Sequence, residues 1–140
     1  MDIGGGLGIT YKEETPGNPE SLILEILNKI SALNLNIILE PGRSITGTAG
    51  ILVTKVEYLK LTEHKNFAII DAGMNDLMRP ALYGSTHQII PLKKNNKIIN
   101  KIHDFVGPIC ESTDKFLSLK KYQKVNEKDI LAIYDVGAYG

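Results

Sequence analysis

Ile37-Ile38-Leu39-Glu40-Pro41-Gly42-Arg43 is an apolar run that stops abruptly in an acid, a tight turn and a base. A short all-apolar run of this kind suits a strand buried on both faces of a parallel sheet. Upstream, Leu22, Ile23, Ile26, Leu27, Ile30 and Leu33 recur at helical spacing, which predicts an amphipathic helix packed on that sheet. Asn18 is its expected N-cap with Pro19 at the first helical position, and Asn34-Leu35-Asn36 ends it. Before the helix stands Asp2-Ile3-Gly4-Gly5-Gly6-Leu7-Gly8. Three consecutive glycines strip the backbone of side chains, so its N–H groups can approach an anion closely. Loop, helix, strand and loop make one unit of an α/β barrel, with Glu40 and Arg43 at the strand end where barrel enzymes place their chemistry.

The pattern changes at Thr46-Gly47-Thr48-Ala49-Gly50, a connection of small residues. Beyond it, β-rich runs at 51–59, 67–71, 87–92, 105–109 and 130–136 are separated by polar turns such as Lys93-Lys94-Asn95-Asn96. The expected fold is therefore α/β plus β. Residues 1–45 form the last part of a (β/α)8 barrel and residues 46–140 an antiparallel β domain. The lysines from Lys120 to Lys128 read as a solvated surface loop. A complete barrel needs roughly 250 residues, against 140 here; no strand leads into the glycine loop, and the chain stops just after its last predicted strand. The expectation is a fragment.

Sixteen basic and 16 acidic residues give a formal net charge of zero, which offers no electrostatic case for nucleic acid. A hydrophobic content of 43% argues against disorder. No apolar stretch approaches the roughly 20 residues of a membrane span, and no signal-peptide layout opens the chain. Cys110 is the only cysteine, so a reducing, cytoplasmic setting is expected, and no metal-ligand cluster stands out.

The glycines do not form a dinucleotide fingerprint, because Ile9 occupies the place of the last glycine, and no G-K-S or G-K-T follows. Phosphate cradling remains the reading for the loop. Glu40 can hold a proton on a basic ring nitrogen, so a ligand carrying both phosphate and a pyridine ring fits the pair of motifs. Arg79 and Tyr83 stand at i and i+4 and share a face if the stretch is helical, although Pro80 lies between them. Cys110 precedes Glu111 in Gly107-Pro108-Ile109-Cys110-Glu111-Ser112-Thr113-Asp114, and Tyr139 lies in the glycine-flanked end Asp135-Val136-Gly137-Ala138-Tyr139-Gly140. Taken alone, Cys110 and Tyr139 would be packing residues.

In combination and in order, these motifs resemble the group IV, alanine racemase-like family of pyridoxal-phosphate decarboxylases, and within it the branch that acts on meso-diaminopimelate. The resemblance covers essentially the whole chain. It implies pyridoxal 5'-phosphate as cofactor, contacted by Gly6, Glu40, Pro41, Gly42, Arg43 and Tyr139. It implies substrate contacts from Arg43, Arg79, Tyr83, Glu111 and Tyr139, and Cys110 as proton donor. It also implies a homodimer whose active sites cross the interface, so that Cys110 and Glu111 serve the neighbouring subunit. The family's Schiff-base lysine matches no lysine here, and His64, His87 and His103 do not replace its stacking histidine. The rivals are an ornithine or related diamine-precursor decarboxylase and a non-catalytic truncated homologue that only binds or dimerises. The ornithine enzymes have aspartate after the corresponding cysteine, where this chain has Glu111. An arginine suits a distal carboxylate through paired hydrogen bonds and would repel a distal amine.

Overall fold

A computed structural model describes residues 1–11 and 13–139. Helix α1, Pro19–Ile30, begins where the sequence places it. The Asn18 side chain accepts from the backbone N–H groups of Glu20 and Ser21, and Pro19 occupies the first turn. Capping of this kind is worth about 1 kcal/mol. A 3-10 turn, Ser31–Leu33, then closes on Asn34 in the left-handed region at φ 46°.

The next run departs from expectation. Ile37–Leu39 does not form a buried strand, and makes one parallel bridge between Asp2 and Ile38. The bonds Ile38 N–H to Met1 O (2.9 Å), Ile3 N–H to Ile38 O (3.1 Å) and Glu40 N–H to Gly4 O (2.8 Å) hold the two segments together. Ile38 stays 56% exposed, and no residue of α1 is buried. A parallel strand is buried only when both faces of its sheet are covered, and here even α1 leaves its own apolar residues exposed. The parallel pairing is present and the burial is not.

Helix α2, Arg43–Thr46, and a 3-10 turn, Gly47–Ala49, lead into strand β1, Ile51–Leu61. Then come β2 (Lys65–Ile70), helix α3 (Arg79–Tyr83), β3 (Ile89–Pro91), β4 (Ile98–Ile99), β5 (Ile102–Val106), β6 (Lys115–Leu119), β7 (Tyr122–Gln123) and β8 (Ile130–Tyr134). Six strands form a sheet in the order β3-β8-β1-β2-β5-β6, and β4 pairs with β7 separately. The expectation of an antiparallel domain needs one amendment, since β2 and β5 run parallel. All other strand pairings are antiparallel.

The core lies on one face of this sheet, where Val56, Ala68, Ile70, Phe105, Leu131 and Ile133 are fully buried. Strand β2 alternates half-buried and buried positions, the period-2 signature of a sheet with one covered face. Three strands had no clear sequence signal, β4, β6 and β7. The last falls inside the expected lysine loop, where Tyr122 and Val125 are in fact buried. Tyr122 packs edge-on against Phe105 at 4.9 Å and donates its hydroxyl to Ile89 O at 2.7 Å. Its burial pushes the phenol pKa well up. A lysine-rich stretch can therefore alternate solvated cations with core residues.

Two strands end early. Strand β5 stops at Val106 before Gly107, and β8 stops at Tyr134 because Asp135 turns into the left-handed region at φ 61°. That turn brings the chain back onto the α2 connection. Gly137 N–H bonds Gly47 O at 3.0 Å and Val136 N–H bonds Gly50 O at 3.2 Å. A Cβ on Gly137 would stand 1.9 Å from Thr46 O, so the two backbones touch where only glycine fits.

Candidate active site

The bridge between Asp2 and Ile38 sets the glycine loop beside the Glu40 turn. Gly6 adopts φ 99°, open to glycine and strained for other residues, and a Cβ on Gly5 would lie 2.2 Å from Glu40 O. Gly6, Glu40, Pro41 and Gly42 are all exposed on this edge. Helix α1 begins only at Pro19, so the loop's own backbone, and not a helix terminus, faces the edge. Arg43 opens α2 and lays its guanidinium along the loop, since a Cβ on Gly8 would be 3.9 Å from Nη2.

The second half of the site comes from α3 and the chain's end. The stretch around Pro80, left open by the sequence, is helical: Pro80 sits in its first turn, where its missing N–H costs nothing. The i, i+4 pair therefore meets, with Arg79 Cζ 5.3 Å from the Tyr83 ring centre. The same guanidinium lies 5.4 Å from Tyr139 and 5.9 Å from Tyr11. Arg43, Arg79, Tyr83 and Tyr139 line one cavity of about 410 Å3 together with Met78 and Leu82. Four of the residues that sequence reasoning selected, from three distant segments, thus share one pocket. Arg79 Nε is buried with no hydrogen-bond partner. A buried, unpaired arginine edge in a cavity is a ready receptor for an anion.

Cys110 and Glu111 stand elsewhere, on an exposed turn, and neither lines that cavity. The Glu111 carboxylate accepts from Thr113 N–H, Ser112 Oγ and Thr113 Oγ1, and these bonds lower its pKa in that order. Asp114 anchors the turn. Its buried carboxylate accepts Ile109 N–H and Met74 N–H, both at 2.8 Å, so one side chain ties the cysteine turn to the segment that leads into α3.

Sequence reasoning passed over Tyr11, which lies in no motif with recognisable spacing, and took up His87 only to set it aside as a substitute for the stacking histidine. Tyr11 packs edge-on against His87 at 5.0 Å. His87 Nδ1 donates to Tyr134 O at 2.9 Å, which leaves Nε2 to accept from Ser85 Oγ at 3.4 Å. Burial lowers the His87 pKa, and the positive charge of Arg79 lowers it further. The unfolded chain thus takes up this proton first as acid is added. The stability conferred by neutral His87 is complete above about 6.5, its ordinary value, and is lost as pH falls through the lowered folded pKa. An NMR titration of His87 should give a midpoint below 6.5, with Tm declining on the acid side of it. A midpoint at or above 6.5 would contradict the buried, neutral ring.

Residues 10–137 match the family described as pyridoxal-dependent decarboxylase, C-terminal sheet domain. The chain belongs to this family. Among curated relatives, the diaminopimelate decarboxylase of Vibrio cholerae is 49% identical over 141 residues, covering 100% of this chain and 33% of the relative. That of Aquifex aeolicus is 48% identical, with coverage of 100% and 33%. The chain therefore spans about a third of the length of the curated relatives it matches. A crystal structure of Helicobacter pylori diaminopimelate decarboxylase complexed with L-lysine aligns with TM-score 0.88 and 43% identity, over 99% of this chain and 34% of that one. A Paramecium bursaria Chlorella virus arginine decarboxylase aligns with TM-score 0.81 at 17% identity, over 99% and 38%, a likeness of fold alone.

The family's pyridoxal dependence can be tested against the local geometry. The bare loop at Gly4–Gly6 faces the same edge as Glu40 and Arg43, and the arginine pair carries an unsatisfied donor. These residues suit a ligand with a phosphate, a basic ring nitrogen and an adjoining carboxylate. Among the described residues, no cluster of His, Cys, Asp or Glu could hold a metal ion, and no helix is long and apolar enough to cross a membrane.

Proposed function

We propose that this chain forms the phosphate-loop and substrate-binding part of a pyridoxal-phosphate-dependent decarboxylase that converts meso-diaminopimelate to lysine and carbon dioxide. The observation that carries the reading is the meeting of Arg43, Arg79, Tyr83 and Tyr139 around one cavity. Two guanidinium groups there suit a substrate whose far end bears a carboxylate, as diaminopimelate does and ornithine does not. In this reading residues 1–45 belong to the barrel, residues 46–140 to the β domain, and the enzyme is a cytoplasmic homodimer.

When bound, pyridoxal phosphate supplies an electron sink for the pair left behind by departing carbon dioxide. The chain's own groups do the rest. Gly6 and its neighbours present backbone N–H groups to the phosphate, with Pro41 and Gly42 shaping the turn beside them. Glu40 keeps a proton on the ring nitrogen. Arg79 with Tyr83 holds the distal carboxylate, Arg43 and Tyr139 contact both ligands, and Glu111 takes the distal ammonium. Cys110 delivers a proton to the substrate carbon that has lost its carboxylate, in the active site of the neighbouring subunit.

A graft tests this directly. Residues 1–140 replace the matching third of the Vibrio cholerae relative, and the purified, cofactor-loaded protein is assayed. It should release carbon dioxide from meso-diaminopimelate and not from ornithine. Equal kcat/KM on ornithine, or no release from either, would overturn the assignment. The 140-residue chain by itself, in which no lysine matches the family's Schiff-base position, should show neither turnover nor a Schiff-base absorbance band.

A further inference from the structure

Arg79 is enclosed by three aromatic rings, and the three are not equivalent. Tyr83 and Tyr139 are 71% and 65% exposed, so both stand at the open side of the cavity. Tyr11 is half-buried, and its hydroxyl is buried without a hydrogen-bond partner. Its ring packs at 70° against His87, and His87 is only 2% exposed and held at both ring nitrogens. Tyr11 thus has a fixed wall behind it, while the other two rings face solvent.

A guanidinium with a buried, unpaired Nε has no side-chain hydrogen bond there to set its plane. Ring faces can set it, because a cation is attracted to the quadrupole of an aromatic face within about 6 Å. They do so without using the N–H donors that a carboxylate ligand needs. An acidic partner would also orient the group but would neutralise it. Tyr11 further lies just past the glycine loop, so one short segment reaches from the loop to the arginine.

We propose that Tyr11, braced by His87, is a positioning residue that holds the Arg79 guanidinium as a receptor for the carboxylate of the bound amino acid. This rests on the reading above in which Arg79 takes a carboxylate, and the experiment separates the two.

L-lysine, which carries the carboxylate, and 1,5-diaminopentane, which lacks it, are titrated calorimetrically into the cofactor-loaded graft. The unsubstituted protein should bind lysine more tightly than the diamine. Tyr11→Leu should weaken lysine binding roughly 3- to 30-fold, the range of a desolvated cation–ring contact, with diamine binding and cofactor absorbance unchanged. Tyr11→Phe keeps the ring and should keep the discrimination, since the lost hydroxyl has no partner.

If the unsubstituted graft does not prefer lysine, the carboxylate reading of Arg79 fails and the role of Tyr11 fails with it. If it prefers lysine but Tyr11→Leu leaves the preference intact, or weakens both ligands equally, only the positioning role is overturned. Loss of discrimination in Tyr11→Phe would likewise overturn a ring-based role. Should Tyr11→Leu not fold, NMR of the 140-residue chain decides the matter, because a nuclear Overhauser contact is specific to one ring where a ring-current shift is not. A contact between the Tyr11 ring protons and the Arg79 side chain, kept at the same position in Tyr11→Phe, supports the role, and its absence overturns it.

Discussion

Cys110→Ala in the cofactor-loaded graft is expected to lower kcat by about 10²–10⁴-fold, the usual contribution of a positioned general acid. The thiol is exposed, so its removal leaves no core cavity and Tm should hardly move. That separation gives the measurement its force. A buried structural cysteine would show the reverse, with lost stability and preserved turnover per folded molecule. Turnover should therefore be normalised to bound cofactor and read beside the melting curve. A fall in kcat of less than about threefold, well short of the general-acid range, would remove Cys110 from the chemistry. Cys110 does not line the arginine cavity, and the proposed dimer would have it act in the second subunit's site. In that dimer, heterodimers of Cys110→Ala with Arg79→Ala should keep one intact site of two, and so about half of full activity.

Arg79→Ala should weaken binding of diaminopimelate by about 2–5 kcal/mol, the cost of removing one partner from a desolvated charge pair. That corresponds to roughly 30- to 4,000-fold in affinity. Cofactor affinity should be nearly unchanged, because the glycine loop and Glu40 lie on a separate segment. Arg79→Lys should recover little of the loss, since an ammonium lacks the planar fork and stacks poorly on the rings at 5.3 and 5.4 Å. Unaltered KM and kcat in Arg79→Ala would dismiss the distal-carboxylate assignment. Steady-state kinetics with diaminopimelate suffice.

The sequence made some of this architecture plain and concealed the rest for identifiable reasons. Helix α1 was legible because its signals are local: a capping asparagine, a proline in the first turn and apolar residues at helical spacing. Strand β1 was legible because it is long, at 11 residues, and β8 because it is an unbroken apolar run. The two-residue strands β4 and β7 were not, because so short a segment has no period to detect and owes its pairing to its neighbours. The exposure of Ile38 was equally hidden, since burial depends on what lies alongside the strand. At the site, the spacing of Arg79 and Tyr83 offered their pairing on condition of a helix, which Pro80 left open. Their meeting with Tyr139 could not be foreseen, because it depends on the left-handed turn at Asp135 and the glycine contact behind it. Tyr11 announces itself only in three dimensions.

The contact of Gly137 with the turn at Gly47 also has a kinetic meaning. It joins two points separated by the entire six-stranded sheet, so its loop-closure entropy must be met before the contact repays it. Folds dominated by such distant pairings form slowly, with local hairpins preceding the long closures. Arg43 and Tyr139 are therefore expected to become neighbours late in folding, once β8 has joined β1. During synthesis the arginine cavity is not complete until the chain has emerged as far as residue 139. The local helix can pair Arg79 with Tyr83 earlier, but it lacks the wall that Tyr139 supplies.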